Sequence, residues 1–350
     1  MSEPTPTFPV LAADRSSNDP PQQVWVIQRP RPRWWLYVLF FLLTMLSTTV
    51  VGGRIESHYL HGLPAFSLDD DIFAPFVTWI GHPSELLRGL PFSLTLMFIL
   101  LAHEMGHYLY ARHYRVYATL PFFIPFTSFI GTLGAFIRIK SPIPTRAALF
   151  DIGIAGPIAG FIPACAAVVA GLSLSHPLAS SGTSPDNNLG FPLIFHLGAR
   201  IVHPAAPLTG LSLHPIAVAG WVGMFATSLN LLPAGQLDGG HILFSILPKL
   251  HRWVSLLAVV ALVPLAKYCW IGWLLWAVIL WLTSHHPQIP THPRISSSRK
   301  WVATFGVIML VLAFTPAPFA EASGREAWQQ AGVPVLQWMK DKIRHIRGRK

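Results

Sequence analysis

Long apolar runs alternate with short charged or proline-rich stretches along most of this 350-residue chain. A helix needs about 20 predominantly apolar residues to cross a bilayer, and several of the runs approach or exceed that length. We therefore predict helical spans at 34–51, 89–111, 147–174, 215–232 and 301–314. Together with the run described next, the pattern predicts an all-α polytopic membrane protein with about six to seven transmembrane helices.

The run 253–282 allows two interpretations. It is apolar throughout except for Pro264 and Lys267, so it forms either one long kinked span or two shorter ones. Pro264 with Lys267 resembles a tight external turn, which favours two. Two spans would leave the C-terminus outside, and one would leave it inside.

The segment 117–140 is apolar but is broken by two prolines, Gly131 and Gly134. Irregular backbone at membrane depth persists only where protein or a water-filled cavity covers it. We therefore predict a re-entrant hairpin beside a buried zinc site. Its edge could hold an extended substrate, with Gly131, Thr132 and Gly134 as substrate-binding residues, or it could be a buried connector.

Composition supports a membrane protein and excludes several other classes. The chain is 52% hydrophobic and 11% charged, whereas soluble domains carry about 25% charged residues. Its net charge of +10 comes mostly from tails and short loops, which suits topology signals and anionic lipid rather than nucleic acid. Cys165 and Cys269 lie in apolar runs, so neither a disulfide framework nor a cysteine zinc site is expected.

The charge distribution also predicts the orientation. Arg29, Arg31 and Arg33 directly precede the first span, which predicts a cytoplasmic N-terminus. The predicted organisation is a disordered cytoplasmic tail at 1–33, a transmembrane domain at 34–320 with its core at 85–250, and a basic tail at 321–350 that includes an amphipathic helix at 326–346.

The run 89–111 contains the motif His-Glu-Met-Gly-His at 103–107 and no lysine or arginine. Residues four apart share a helix face, so the imidazoles of His103 and His107 can bind one ion while Glu104 lies beside a bound water. An ionised carboxylate at this depth costs about 2.5 to 3.5 kcal/mol on insertion scales. A divalent metal would supply the missing partner. The alternative is two core histidines beside a protonated glutamate.

Asp238 is a second carboxylate in apolar surroundings. The stretch 201–248 contains no lysine or arginine, and Pro233 should end the helix before Asp238. One divalent cation would provide the missing positive charge for both Glu104 and Asp238. A zinc ion held by His103, His107 and Asp238, with water in the open fourth position, has the ligand count of a catalytic site. The alternative for Asp238 is a helix N-cap before a Gly-Gly turn.

These motifs resemble those of the site-2 protease family of intramembrane zinc metalloproteases. The resemblance rests on residues 103–107 with Asn-Leu-Leu-Pro at 230–233 and Leu-Asp-Gly-Gly at 237–240. Two further segments, at 131–135 and 150–157, are similar to the branch with chloroplast members and bacterial relatives. Many members carry a PDZ domain between the motif spans, and this chain has no room for one.

The resemblance implies roles for five residues. His103, His107 and Asp238 would bind zinc, Glu104 would be the general base and acid, and Asn230 would hold the substrate carbonyl or its oxyanion. It implies cleavage of transmembrane protein substrates in or near their spans, in a bacterial plasma membrane. Without the resemblance, the residues are also compatible with two other classes of protein. These are an ion or small-solute transporter that uses the same side chains, and a scaffold without proteolytic activity.

Overall fold

A computed structural model describes residues 10–11, 23–24, 33–66, 73–81, 83–177, 189–204, 206–283 and 295–319. Within the first predicted tail it describes two short strands, β1 (Val10–Leu11) and β2 (Gln23–Val24), which pair antiparallel. The predicted disorder of that tail and the predicted tail at 321–350 with its amphipathic helix lie outside the described residues.

Helices dominate the described part of the chain. They are α1 (Trp34–His61), α2 (Ala74–Gly81), α3 (Leu90–His113), α4 (Arg146–Leu174), α5 (Leu193–Val202), α6 (Pro215–Asn230), α7 (Asp238–Ile246), α8 (Pro248–Tyr268), α9 (Gly272–Leu282) and α10 (Ser297–Ala313). A 3₁₀-helix, Pro83–Gly89, precedes α3.

Four of the described helices are long and apolar enough to cross a membrane. They are Trp34–His61, Leu86–His113, Arg146–Leu174 and Pro248–Tyr268. The predicted run 253–282 forms two helices, α8 and α9. Pro264 lies within α8, and the chain turns a few residues later, at 269–271. The turn therefore lies beyond Pro264 and Lys267, where the sequence predicts it, and Pro264 is an exposed residue within the helix.

Helix α4 lies at the centre of the bundle, between α3, α6 and α7. Small residues allow these helices to approach closely, as the glycines of α4 predict. A Cβ atom on Gly106 of α3 would lie 2.5 Å from the Ala155 carbonyl oxygen, and one on Gly171 would lie 2.1 Å from the Ala217 nitrogen. Any side chain at either glycine would push two helix backbones apart.

The predicted hairpin at 117–140 is an antiparallel β-hairpin. Its strands are β3 (Phe122–Pro125) and β4 (Thr132–Phe136), with Phe122 opposite Phe136. It packs against α1, where the Phe122 ring lies 4.6 Å from that of Phe40. The pairing continues outward at an isolated bridge between Ala118 and Ile139. Two further strands, β5 (His176–Pro177) and β6 (Leu211–Ser212), pair beyond the end of α4.

Helix α10 runs in the same direction as α4. At its start, Arg299 forms an ion pair of 2.6 Å with Asp151, in the second turn of α4. The Tyr114 hydroxyl also donates to Asp151. Beyond the other end of α10, the Pro318 carbonyl accepts from the Gly190 amide at 3.1 Å, in the segment that follows α4. Asp151 therefore joins three segments of the bundle.

Candidate metal centre

Helix α3 turns two imidazoles toward the interior of the bundle. His103 and His107 lie on one helical face, as their spacing predicts, and are 6% and 7% exposed. Glu104 lies beside them and is 7% exposed. The backbone of Ile137, just past β4, lies near the Glu104 carboxylate, and both residues line one cavity. The three polar side chains are therefore held at a protein-lined site.

Asp238 completes a triangle of donor atoms with the two histidines. The Asp238 Oδ2 atom lies 3.2 Å from the Nε2 atom of His103 and 3.2 Å from that of His107. The two Nε2 atoms lie 3.2 Å from each other. Among the residues that the structure describes, this is a group of histidine and acidic side chains whose ligand atoms converge closely enough to hold one ion.

The size and chemistry of this triangle fit zinc. Zinc binds imidazole nitrogen and carboxylate oxygen at about 2.0 to 2.2 Å in tetrahedral geometry, which places neighbouring ligand atoms about 3.3 Å apart. The observed separations match one face of such a tetrahedron. The fourth corner would then be available for water or substrate.

The imidazole of His107 is oriented for metal binding by α4. Its Nδ1–H donates to the Ile152 carbonyl at 2.7 Å, which leaves the lone pair of Nε2 directed at the triangle. Two glycines of α4 provide the space. A Cβ on Gly156 would lie 2.0 Å from His107 Nε2, and one on Gly160 would lie 2.9 Å from the Cβ of His103.

The end of α6 and the following loop bring the second motif to α3. Helix α6 ends at Asn230, whose Nδ2 atom lies 3.3 Å from His103 Nε2. The loop then turns at Gly235, which has a left-handed φ of +59°. Asp238 is the first residue of α7. The predicted interruption of the helix at this motif therefore positions both Asn230 and Asp238 beside the histidines.

A cavity of about 830 Å³ opens onto the triangle. Besides the metal-site residues and Asn230, it is lined by the hairpin and its continuation, the start of α4 and the loop before α7. The contributing residues are Ala135, Phe136, Ile137, Arg138, Ile139, Ser141, Pro142, Ile143, Pro144, Leu149, Ile152, Gly153, Gln236, Leu237 and His241.

The three hairpin residues predicted to bind substrate lie elsewhere and do not line this cavity. The Gly131 carbonyl accepts from Ser47 Oγ of α1 at 2.6 Å. The Thr132 hydroxyl donates to the Ile124 carbonyl across the hairpin at 2.8 Å. Gly134 has a φ of +101° and open space where a side chain would stand. These three residues lie at or near the turn of the hairpin, whereas residues 135–139 line the cavity.

The sequence does not predict two backbone contacts of this centre, nor the side chain that contacts the end of α7. The Ile152 carbonyl and the Ile137 amide come from residues that have no chemistry of their own to attract notice. The side chain is Arg146, which contacts α7. Its position directly before the predicted span 147–174, in a chain with few charged residues, is the signal that the sequence offers.

A buried centre of the His-Glu-x-x-His type, completed by a distant aspartate within a bundle of apolar helices, defines a membrane-embedded metallohydrolase class. The sequence profile of Peptidase family M50 matches residues 91–266. This chain belongs to that family. The matched region contains both motifs of the centre.

Relatives agree with the family assignment. The probable zinc metalloprotease EGY1, chloroplastic, of Arabidopsis thaliana is 29% identical over 301 residues, which cover 81% of this chain and 53% of the relative. The probable zinc metalloprotease EGY2, chloroplastic, of the same plant is 31% identical over 304 residues, covering 85% and 51%. The chain thus spans about half the length of these relatives. They lend no support to the transporter alternative.

Proposed function

We propose that this integral membrane protein is a zinc endopeptidase that hydrolyses peptide bonds in or near the transmembrane segments of membrane proteins. The observation that carries the proposal is the convergence of Asp238 with His103 and His107, from distant parts of an apolar chain. The zinc metalloprotease names of the relatives support the same chemistry.

The three donor side chains would hold the ion, and two further side chains would act on the substrate. A bound zinc ion supplies a Lewis acid and makes a coordinated water acidic, with a pKa of about 7. Glu104 accepts a proton from the attacking water and returns it to the leaving amine, which contributes about a hundred- to ten-thousand-fold. Asn230 donates a hydrogen bond to the developing oxyanion, worth roughly 3 kcal/mol.

The hairpin provides a place for an opened substrate helix. Residues 138–140 pair with 117–119 on one side, while 135–139 also line the cavity. An extended substrate can add to such an edge through its main chain. Gly131, Thr132 and Gly134 would then contribute by shaping the hairpin, and their direct contact with substrate stays a prediction. We also propose that the hairpin lies within the membrane.

The order of the helices supports a seven-span arrangement with a cytoplasmic N-terminus. In it α1, α3, α4, α6, α8, α9 and α10 cross in alternating directions. Because α10 parallels α4, its end lies on the side opposite the N-terminus. The predicted domain limits, 34–320 with a core at 85–250, go with this arrangement. A bacterial plasma membrane remains an expectation from the sequence, whereas the named relatives are chloroplastic.

The experiment compares the full chain with its Glu104→Gln variant, reconstituted with a tagged single-span peptide. We expect zinc-dependent cleavage by the wild type, loss of cleavage with a zinc chelator, and recovery after zinc is restored. Glu104→Gln should retain zinc but lose at least about a hundredfold in rate. An active, zinc-replete Glu104→Gln variant would remove Glu104 from its role. Zinc-loaded wild type that cleaves no membrane-spanning peptide would contradict the proposed function.

A further inference from the structure

Arg146, the first residue of α4, is buried although it is an arginine at the border of an apolar span. It is 8% exposed, and among the described residues it is the only lysine or arginine that is buried. Burying a guanidinium is costly unless its N–H groups are paired. The hydrogen-bond partners of Arg146 therefore show what offsets the cost of burying it.

The guanidinium of Arg146 contacts the C-terminal end of α7. Its Nε atom donates to the Ser245 carbonyl at 2.7 Å, and its Nη2 atom donates to the Ile246 carbonyl at 3.0 Å and also to that of Ser245. The last carbonyls of a helix lack partners within the helix and carry partial negative charge. The guanidinium donates hydrogen bonds to these carbonyls, and its positive charge is attracted to their partial negative charge.

Helix α7 transmits this contact to the metal centre. It is only nine residues long, with Asp238 at its first position and Ile246 at its last. At about 1.5 Å per residue it is a short, stiff connection. Leu237 provides no side-chain cap at its start. Fixing the carbonyl end of α7 therefore limits how far the Asp238 carboxylate can move from the imidazoles.

The same helix that carries Arg146 also orients His107. Two turns further along α4, the Ile152 carbonyl accepts from His107 Nδ1. Thr145 caps the start of α4 by accepting from the Ala148 amide, so the backbone of Arg146 is itself held. Thus α4 contacts both halves of the centre: His107 on α3 directly, and Asp238 through α7.

We infer that Arg146 is a positioning residue of the metal centre, which fixes α7 so that Asp238 meets the two histidines. This rests on the proposed function, because it assumes that the triangle binds zinc. It predicts that loss of the Arg146 contacts weakens zinc binding even though Arg146 is not one of the three donor side chains. Loss of a group that supports metal ligands typically weakens binding by about tenfold to a hundredfold.

The test measures zinc affinity of the purified full chain by competition with a chromophoric chelator. Arg146→Gln removes the cation and the forked donors, while Arg146→Lys keeps the charge but cannot reproduce the fork. Arg252→Gln is the matched control, because Arg252 is an exposed arginine on α8. We expect the zinc dissociation constant to rise about tenfold or more in Arg146→Gln, severalfold in Arg146→Lys and not at all in the control.

A second readout separates positioning from general stability. The zinc concentration that gives half-maximal cleavage should rise with the dissociation constant, while the rate at saturating zinc should return toward the wild-type value. If Arg146→Gln does not fold, Arg146→Lys decides. An unchanged zinc affinity in every folded Arg146 variant would overturn this inference and leave the proposed function standing. A wild type that binds no zinc would overturn both.

Discussion

At the scale of single residues, the centre depends on glycines as much as on its polar side chains. The imidazole of His107 occupies the space where a side chain on Gly156 would begin, and His103 lies similarly against Gly160. The pattern of small residues in α4 predicts close helix contact. The structure adds that two of these residues face the histidines, so they leave room for the ligands as well as for a neighbouring helix.

Substitution of Gly156 by alanine tests this packing. The new Cβ would lie 2.0 Å from His107 Nε2, and a side-chain ring can move where a backbone cannot. We therefore expect Gly156→Ala to fold but to lower zinc affinity by about tenfold or more, as displaced metal ligands do. Gly81→Ala is the control, because a Cβ on Gly81 meets nothing within 4 Å. Full zinc affinity in Gly156→Ala would show that His107 is not constrained by α4.

At the scale of elements, the contacts of α10 bear on a conflict in the charge pattern. Basic residues flank this helix on both sides, at 299–300 and in the tail beyond 340, so one group must break the positive-inside tendency. Arg299 pairs with Asp151 near the start of α4, while Trp273 of α9 donates to the Pro316 carbonyl at 2.6 Å. These contacts place the start of α10 on the same side of the bundle as the start of α4, the side that we propose to be cytoplasmic.

Labelling from one side of a sealed membrane tests that orientation. Single cysteines would replace Ser298, at the start of α10, and Ala317, beyond its end, in a chain whose Cys165 and Cys269 are replaced by serine. An impermeant thiol reagent should label Ser298→Cys from the side of the N-terminus and Ala317→Cys only from the other side. Labelling of both cysteines from the same side would contradict the seven-span arrangement.

At the scale of the whole molecule, the chemistry of single side chains predicts which polar groups converge, whereas the contacts around them depend on tertiary packing. The helical spacing of His103 and His107 and the uncompensated charge of Asp238 led to the observed triangle. The prolines and glycines of the segment 117–140 predict a hairpin there, and the structure has a β-hairpin within this segment. Which hairpin residues face the cavity depends on packing against α1, so residues 135–139 line it instead of Gly131, Thr132 and Gly134.

Two groups that support the centre, the Arg146 side chain and the Ile152 carbonyl, act through long-range contacts that the sequence does not predict. Arg146 and Ser245 are separated by 99 positions, and no local pattern links a basic residue at the start of one helix to the carbonyls at the end of another. The same holds for the Ile152 carbonyl, because a backbone acceptor has no signature in the side chains. The sequence therefore predicts the three candidate ligands but not the groups that hold them in place.

The most direct test of the central claim is the zinc content of purified wild type and Asp238→Ala, measured by elemental analysis at equal protein concentration. If three side chains from two distant motifs share one ion, as we propose, purified wild type should contain about one zinc per chain, and Asp238→Ala should lose most of it with helical content unchanged. Full zinc content in folded Asp238→Ala would contradict the account.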